Sequence, residues 1–183
     1  MNMKCIIAAA LAAGLMTSTA AMAVDYVIDK KGQHASVVFK AIHLGYSYIM
    51  GRFNDFEGKF SHDADTPGNS KVSVTINPSS IDTNHAARDK HLRSSDFFHV
   101  TKYPTISFAS TAYSGDSLKG NLTIHGVTKA VTIKVKHIGE GKDPWGGYRS
   151  GFEGGVTLKA PDFGLPDYVG DIQVMLNVEG IRQ

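Results

Sequence analysis

One cysteine, Cys5, stands in the whole 183-residue chain, and it falls among the first few residues. Past that point no disulfide can form, no thiolate metal site can assemble and no thiol nucleophile exists. The chain also has no block of one charge: 19 Lys and Arg are interspersed with 17 Asp and Glu. That balance excludes the basic stripe of a nucleic-acid footprint and gives no polybasic attachment to a membrane surface. The longest apolar run, Cys5 to Met16, is twelve residues, well short of the about 20 that a membrane-spanning helix needs. Catalytic signatures are missing as well. Gly45-Tyr46-Ser47-Tyr48-Ile49 lacks the second glycine of a nucleophile elbow, and no H-E-x-x-H occurs.

The short apolar run has its own meaning. Lys4 precedes it and Ala21-Met22-Ala23 follows it, the small-x-small pattern of a cleaved secretory leader. Residues 1–23 are therefore read as a signal peptide, and 24–183 as one exported domain. No lipid attachment is expected, because Cys5 opens the apolar run instead of following it. Loss of Lys4 lowers the net charge from +2 to +1. The stability of such a product rests on its core alone, and about 160 residues suffice to bury one.

Strict alternation recurs along the domain: Val72, Val74 and Ile76; Ile106 and Phe108; Leu122 and Ile124; Val131, Ile133 and Val135; Val156 and Leu158; Ile172, Val174, Leu176 and Val178. Period two with one polar face predicts half-buried antiparallel strands. Turn residues separate them at 66–69, 114–116, 125–126 and 139–147, at hairpin spacing. Predicted strands cover 26–28, 34–40, 51–62, 71–77, 105–113, 118–125, 127–138, 148–159 and 171–181. A sheet of eight or nine strands avoids exposed edges by closing into a barrel. In the 51–62 strand, Phe53 and Phe56 cannot share a face unless the chain bends near Asn54-Asp55, so a bulge is expected there. Helix is predicted at 84–93, capped by Thr83 or Asn84, and a second helical turn at 41–48. An eight-stranded barrel is either filled by side chains or just wide enough for one small ligand, and periodicity does not choose between the two.

The segment from Ser80 to Ser110 interrupts the strand rhythm with one charged turn of helix beside Phe97, Phe98 and Tyr103. Its pieces Ser80-Ile81-Asp82-Thr83, Arg88-Asp89-Lys90-His91-Leu92-Arg93-Ser94, Asp96-Phe97-Phe98 and Tyr103-Pro104 resemble the signature of the YceI family of periplasmic polyisoprenoid-binding proteins. His43-Leu44-Gly45, Gly51-Arg52-Phe53, Phe56-Glu57-Gly58, Gly120-Asn121-Leu122-Thr123-Ile124, Gly126-Val127-Thr128, Asp143-Pro144-Trp145-Gly146, Gly151-Phe152 and Asp162-Phe163-Gly164 agree, in order, along the whole domain. Ala130 stands where the family pattern often has proline, and 160–171 matches poorly beyond Asp-Phe-Gly. The resemblance implies an all-β, lipocalin-like antiparallel barrel of about eight strands, with one short helix inserted near 84–93. It also implies an internal tunnel for a long isoprenoid or similar amphiphile, such as a polyprenyl phosphate or an isoprenoid quinone.

On that reading the tunnel is lined by Phe39, Phe53, Phe56, Ile76, Phe97, Phe98, Phe108, Leu122, Ile133 and Phe152. Tyr46, Tyr48, Tyr103 and Trp145 are rim residues, each an apolar ring with a polar handle for a head group. Arg88, Arg93 and Arg149 are the cations for a diphosphate, although Asp89 and Arg93, at i and i+4, can equally form a surface ion pair. No catalysis, metal or cofactor is expected beyond the bound lipid. Expected partners are the amphiphile and, transiently, a membrane or its enzymes, with a homodimer compatible and nucleic acid excluded.

Two other classes compete with a carrier. A chaperone-like barrel would bind exported polypeptides on an exposed apolar patch or open edge. A metal-dependent hydrolase would use the eight histidines, but His85 and His91 are six apart, and His85 with Asp89 falls short of the three ligands such a site needs.

Overall fold

The computed structural model describes residues 23–32, 34–63 and 65–183; the predicted signal peptide, Ala23 apart, lies outside them. Eleven strands follow in chain order: β1 Val24–Ile28, β2 Ser36–His43, β3 Ser47–Phe53, β4 Phe56–His62, β5 Lys71–Ile76, β6 Ile81–Asp82, β7 Ile106–Ser114, β8 Ser117–Ile124, β9 Val127–Lys142, β10 Tyr148–Lys159 and β11 Asp171–Arg182. The single α-helix among the described residues, α1, spans Ala86–Arg93 between β6 and β7.

These eleven segments make eight staves of a closed antiparallel barrel. One edge of β11 pairs with β2 along 172–177 and with β1 along 180–182, so β1 and β2 are two pieces of one stave. In the same way β3 and β4 form one stave, pairing with β2 and β1 respectively, and β5 and β6 form the next. The order then runs β5, β7, β8, β9, β10, β11, and β11 returns to β1, which leaves no open run from first stave to last. Closure therefore hides the edges as the strand count requires.

Two of the three broken staves, β3/β4 and β5/β6, are fastened to each other at their breaks. Asn54 N–H donates to Ser80 O at 3.2 Å, and Asn77 N–H donates to Asp55 O at 2.9 Å. The break at Asn54-Asp55 resets the side-chain phase, so Phe53 and Phe56 are both buried inside. The predicted bulge is this bend.

Two local expectations are corrected. Residues 41–48 form the β2–β3 hairpin and no helix; Leu44 and Gly45 take φ of 52° and 79°, as a tight primed turn requires. The helix begins two residues later than predicted and is capped by neither Thr83 nor Asn84. His85 is the cap, its Nδ1 accepting from Arg88 N–H at 3.1 Å.

The interior is apolar but not solid. The rings of Phe39 and Phe108 lie over Gly51 and Gly120 of the neighbouring strand, and the ring of Phe60 reaches across β1 to Gly180 of β11. A Cβ on those glycines would come within 2.3, 2.4 and 2.4 Å of the three rings. The rings thus occupy the space a side chain would take at the wall and leave the centre open.

Candidate functional site

The barrel encloses a cavity of about 600 Å³, within the range of small-molecule sites. Its wall comes from the inward phase of nearly every stave. Val37 and Phe39 come from β2, Phe53 from β3, Phe56 and Phe60 from β4, Val72 to Ile76 from β5, and Phe108 from β7. Leu122, Ile133, Phe152, Val156, Val174 and Leu176 complete the ring. Alternation in sequence becomes a continuous apolar bore because every second residue faces it.

One end is the mouth. The β2–β3 hairpin contributes Ile42, His43 and Leu44, the helix contributes Arg88, His91 and Leu92, and the β10–β11 connection contributes Tyr168 and Val169. Phe97 meets Tyr168 edge-on at 6.2 Å, and Phe98 meets Phe53 edge-on at 5.9 Å. These contacts lay the 81–104 segment over the opening. The other end is closed by His62, Ser70 and Phe152, with His137 beside them. Burial pushes the His62 imidazole below its ordinary pKa, and neighbouring His137 adds to the effect. The buried Ser70 hydroxyl has no hydrogen-bond partner among the described residues.

All ten predicted lining residues, from Phe39 to Phe152, border the cavity, and so does Arg88. The rim residues do not. Tyr48 faces outward on β3, where Lys40 Nζ sits 4.7 Å from its ring centre. Tyr46 is 87 % exposed at the hairpin turn, and Trp145 is 75 % exposed on the β9–β10 turn at the far end. Tyr103 packs edge-on against His125 at 4.5 Å. Tyrosine and tryptophan in sequence carry no sign of which end of a barrel they reach.

The arginines also differ from expectation. Arg93 donates to Ser79 O and Ile81 O, at 2.8 and 3.0 Å, and binds the helix to the turn before it. Asp89 forms no ion pair with Arg93 among the described residues; its carboxylate accepts from the N–H and the hydroxyl of Thr83. Arg88 donates through Nε and Nη2 to the Thr83 hydroxyl and carbonyl, both at 2.7 Å. Arg149 lies outside the bore, held by Asp29, Asp143 and Glu179. Sequence reasoning missed Ser70, and it weighed His62 and His137 only among the eight histidines of a metal-dependent hydrolase, without placing them together. Alternation marks their positions as inward, but polar residues at such positions attract no attention in a hydrophobicity pattern.

Known proteins share this architecture. The chain is 56 % identical over 188 residues to a UPF0312 protein of Pseudomonas aeruginosa, covering 98 % of each chain. It is 49 % identical to a UPF0312 protein of Shewanella baltica, covering 98 % of this chain and 99 % of that one. The Campylobacter jejuni YCEI protein superposes with a TM-score of 0.70 at 28 % identity, over 78 % of this chain and 90 % of that one. A polyisoprenoid binding domain from Saccharophagus degradans shares the fold, with a TM-score of 0.66 at 13 % identity over 87 % of this chain and 99 % of that one. The profile of the YceI-like domain matches residues 26–180, and the chain belongs to that family.

Proposed function

We propose that this protein is a periplasmic carrier or store for a long-chain isoprenoid amphiphile, which it holds in the bore without catalysis. The observation that carries the reading is the cavity itself: a continuous apolar wall, polar only at its ends, inside a closed barrel. The shared fold of a polyisoprenoid binding domain supports the same class of guest.

An isoprenoid tail makes no hydrogen bonds, so apolar contact is its whole attraction. At about 0.8 kcal/mol per CH₂, each five-carbon unit contributes roughly 4 kcal/mol gross. Eight units would pass the ceiling of about 18–21 kcal/mol seen for non-covalent complexes, so ordering costs offset much of the gain. Tunnel depth then sets the preferred length. Arg88, Arg93 and Arg149 all donate to protein acceptors, which favours a neutral, quinone-type head over a diphosphate. Leu44, Tyr46 and Tyr168 stand exposed around the mouth and suit brief contact with a membrane during transfer.

Native mass spectrometry of protein purified without organic extraction tests the reading. A bound mass of isoprenoid size, lost on solvent extraction, is expected. Purified chains that carry no lipid, and take up none from isoprenoid quinone vesicles, would overturn it.

A further inference from the structure

The closed end of the bore holds chemistry that a hydrocarbon guest does not use. His62 ends β4 and His137 lies on β9, and their ring centres are 5.0 Å apart. Phe152 packs against both, at 5.2 and 4.7 Å. Glu140 follows on β9. One ligand atom from each of His62, His137 and Glu140 lies within 4.8 Å of the other two. His62 is buried while His137 and Glu140 reach solvent, so an ion arriving from solvent meets all three.

We propose that His62, His137 and Glu140 form a binding site for one borderline divalent transition-metal ion, zinc being the representative, at the closed end of the barrel. Two imidazoles and one carboxylate are a recurrent zinc set, with a fourth position left open. Calcium and magnesium prefer oxygen ligands throughout and do not fit it. Zinc bonds of about 2.0–2.1 Å place ligand atoms about 3.3 Å apart, so modest rotations must draw the trio together. Glu140 and His137 are exposed enough to make them.

Outer partners are already in place. The fully buried Ser150 hydroxyl lies 3.1 Å from His137 Nε2, and Tyr148 O–H donates to Glu140 Oε1 at 3.3 Å. Groups of this kind orient metal ligands and tune their affinity. The Ser70 hydroxyl, one step beyond the Lys71–Ser61 pair and so beside His62, is buried and unpartnered among the described residues, and it faces the same end of the bore. A second trio, Asp29, His34 and Glu179, has similar spacing. There the cation is already present: Arg149 Nη1 lies 2.6 Å from Asp29 and 2.5 Å from Glu179. It serves as the internal control.

Titration of chelator-treated protein with zinc chloride, followed by calorimetry, tests the site, with cobalt(II) absorption reporting the ligand geometry. One ion per chain is expected. His137→Gln should weaken binding by about a hundredfold and Glu140→Gln by about tenfold, with His34→Ala unchanged. His137 and Glu140 are exposed, so both variants should fold, which circular dichroism verifies; His62→Gln is the confirming third. The absence of saturable uptake by the wild type would overturn the proposal. So would undiminished uptake in His137→Gln and Glu140→Gln, or loss of uptake in His34→Ala. None of these outcomes depends on whether lipid occupies the bore.

Discussion

Arg149 Nη1 lies 2.6 Å from Asp29 Oδ2, so the start of β10 is bonded to the loop that follows β1, on the outside of the barrel. Asp29 is only 3 % exposed, and Asp143 and Glu179 complete a cage of three carboxylates around the one guanidinium. A buried carboxylate that loses its arginine is expensive, even with His34 Nδ1 3.0 Å away. Arg149→Met should therefore destabilise the barrel by about 2–3 kcal/mol in urea unfolding while leaving lipid affinity within about twofold. A large loss of lipid binding at unchanged stability would return Arg149 to the ligand.

The same cage gives a pH dependence of definite sign. Arg149 holds the Asp29 carboxyl down to about 2, against burial that acts to raise it. A depressed carboxyl contributes its full stabilisation above its unfolded value, near 4, and loses it as pH falls toward 2. Urea midpoints should fall between about pH 4 and 2, a step separate from the decline that the depressed His62 imidazole brings below about pH 6.5. The fall should correspond to about 1–2 kcal/mol after screening, and Asp29→Asn should remove that part of it.

Phe97 and Phe98 test the mouth. Both are half-buried, one against Tyr168 and the other against Phe53, and both border the cavity. The double replacement by alanine should cost roughly 1–2 kcal/mol per ring, less than the 3–5 of a fully buried phenylalanine. Lipid affinity should fall by about tenfold or more, measured by exchange from quinone vesicles. A stability loss of several kcal/mol per ring with unaltered exchange would make both rings plain core.

Much of this architecture was legible in the residues. Val72 to Ile76 and Ile172 to Val178 alternate so strictly that strand identity and inward face follow from period alone, and the Phe53–Phe56 conflict located the bend. The 41–48 hairpin was less legible because its turn rests on Leu44 at positive φ, which a leucine does not advertise. Nor did spacing foretell that His62 and His137 meet. Their approach is a product of barrel closure, and closure leaves no local trace in the order of residues.

The glycines beneath the phenylalanines decide whether the bore stays hollow. A Cβ on Gly120 would stand 2.4 Å from Phe108 Cζ and 2.6 Å from Ala109 O, and the ring has open space only toward the centre. Gly120→Val should push Phe108 inward and strain the strand pair at Ala109 O, at a cost of about 3 kcal/mol or more, the upper end for an overpacked wall. The displaced ring narrows the tunnel, so longer tails should lose affinity more than shorter ones. Calorimetric titration with quinones of two to eight isoprene units would read this as a shift of the optimum toward shorter chains. An unchanged optimum would mean that Phe108 escapes elsewhere, and that the glycine serves packing of the wall without setting the width of the bore.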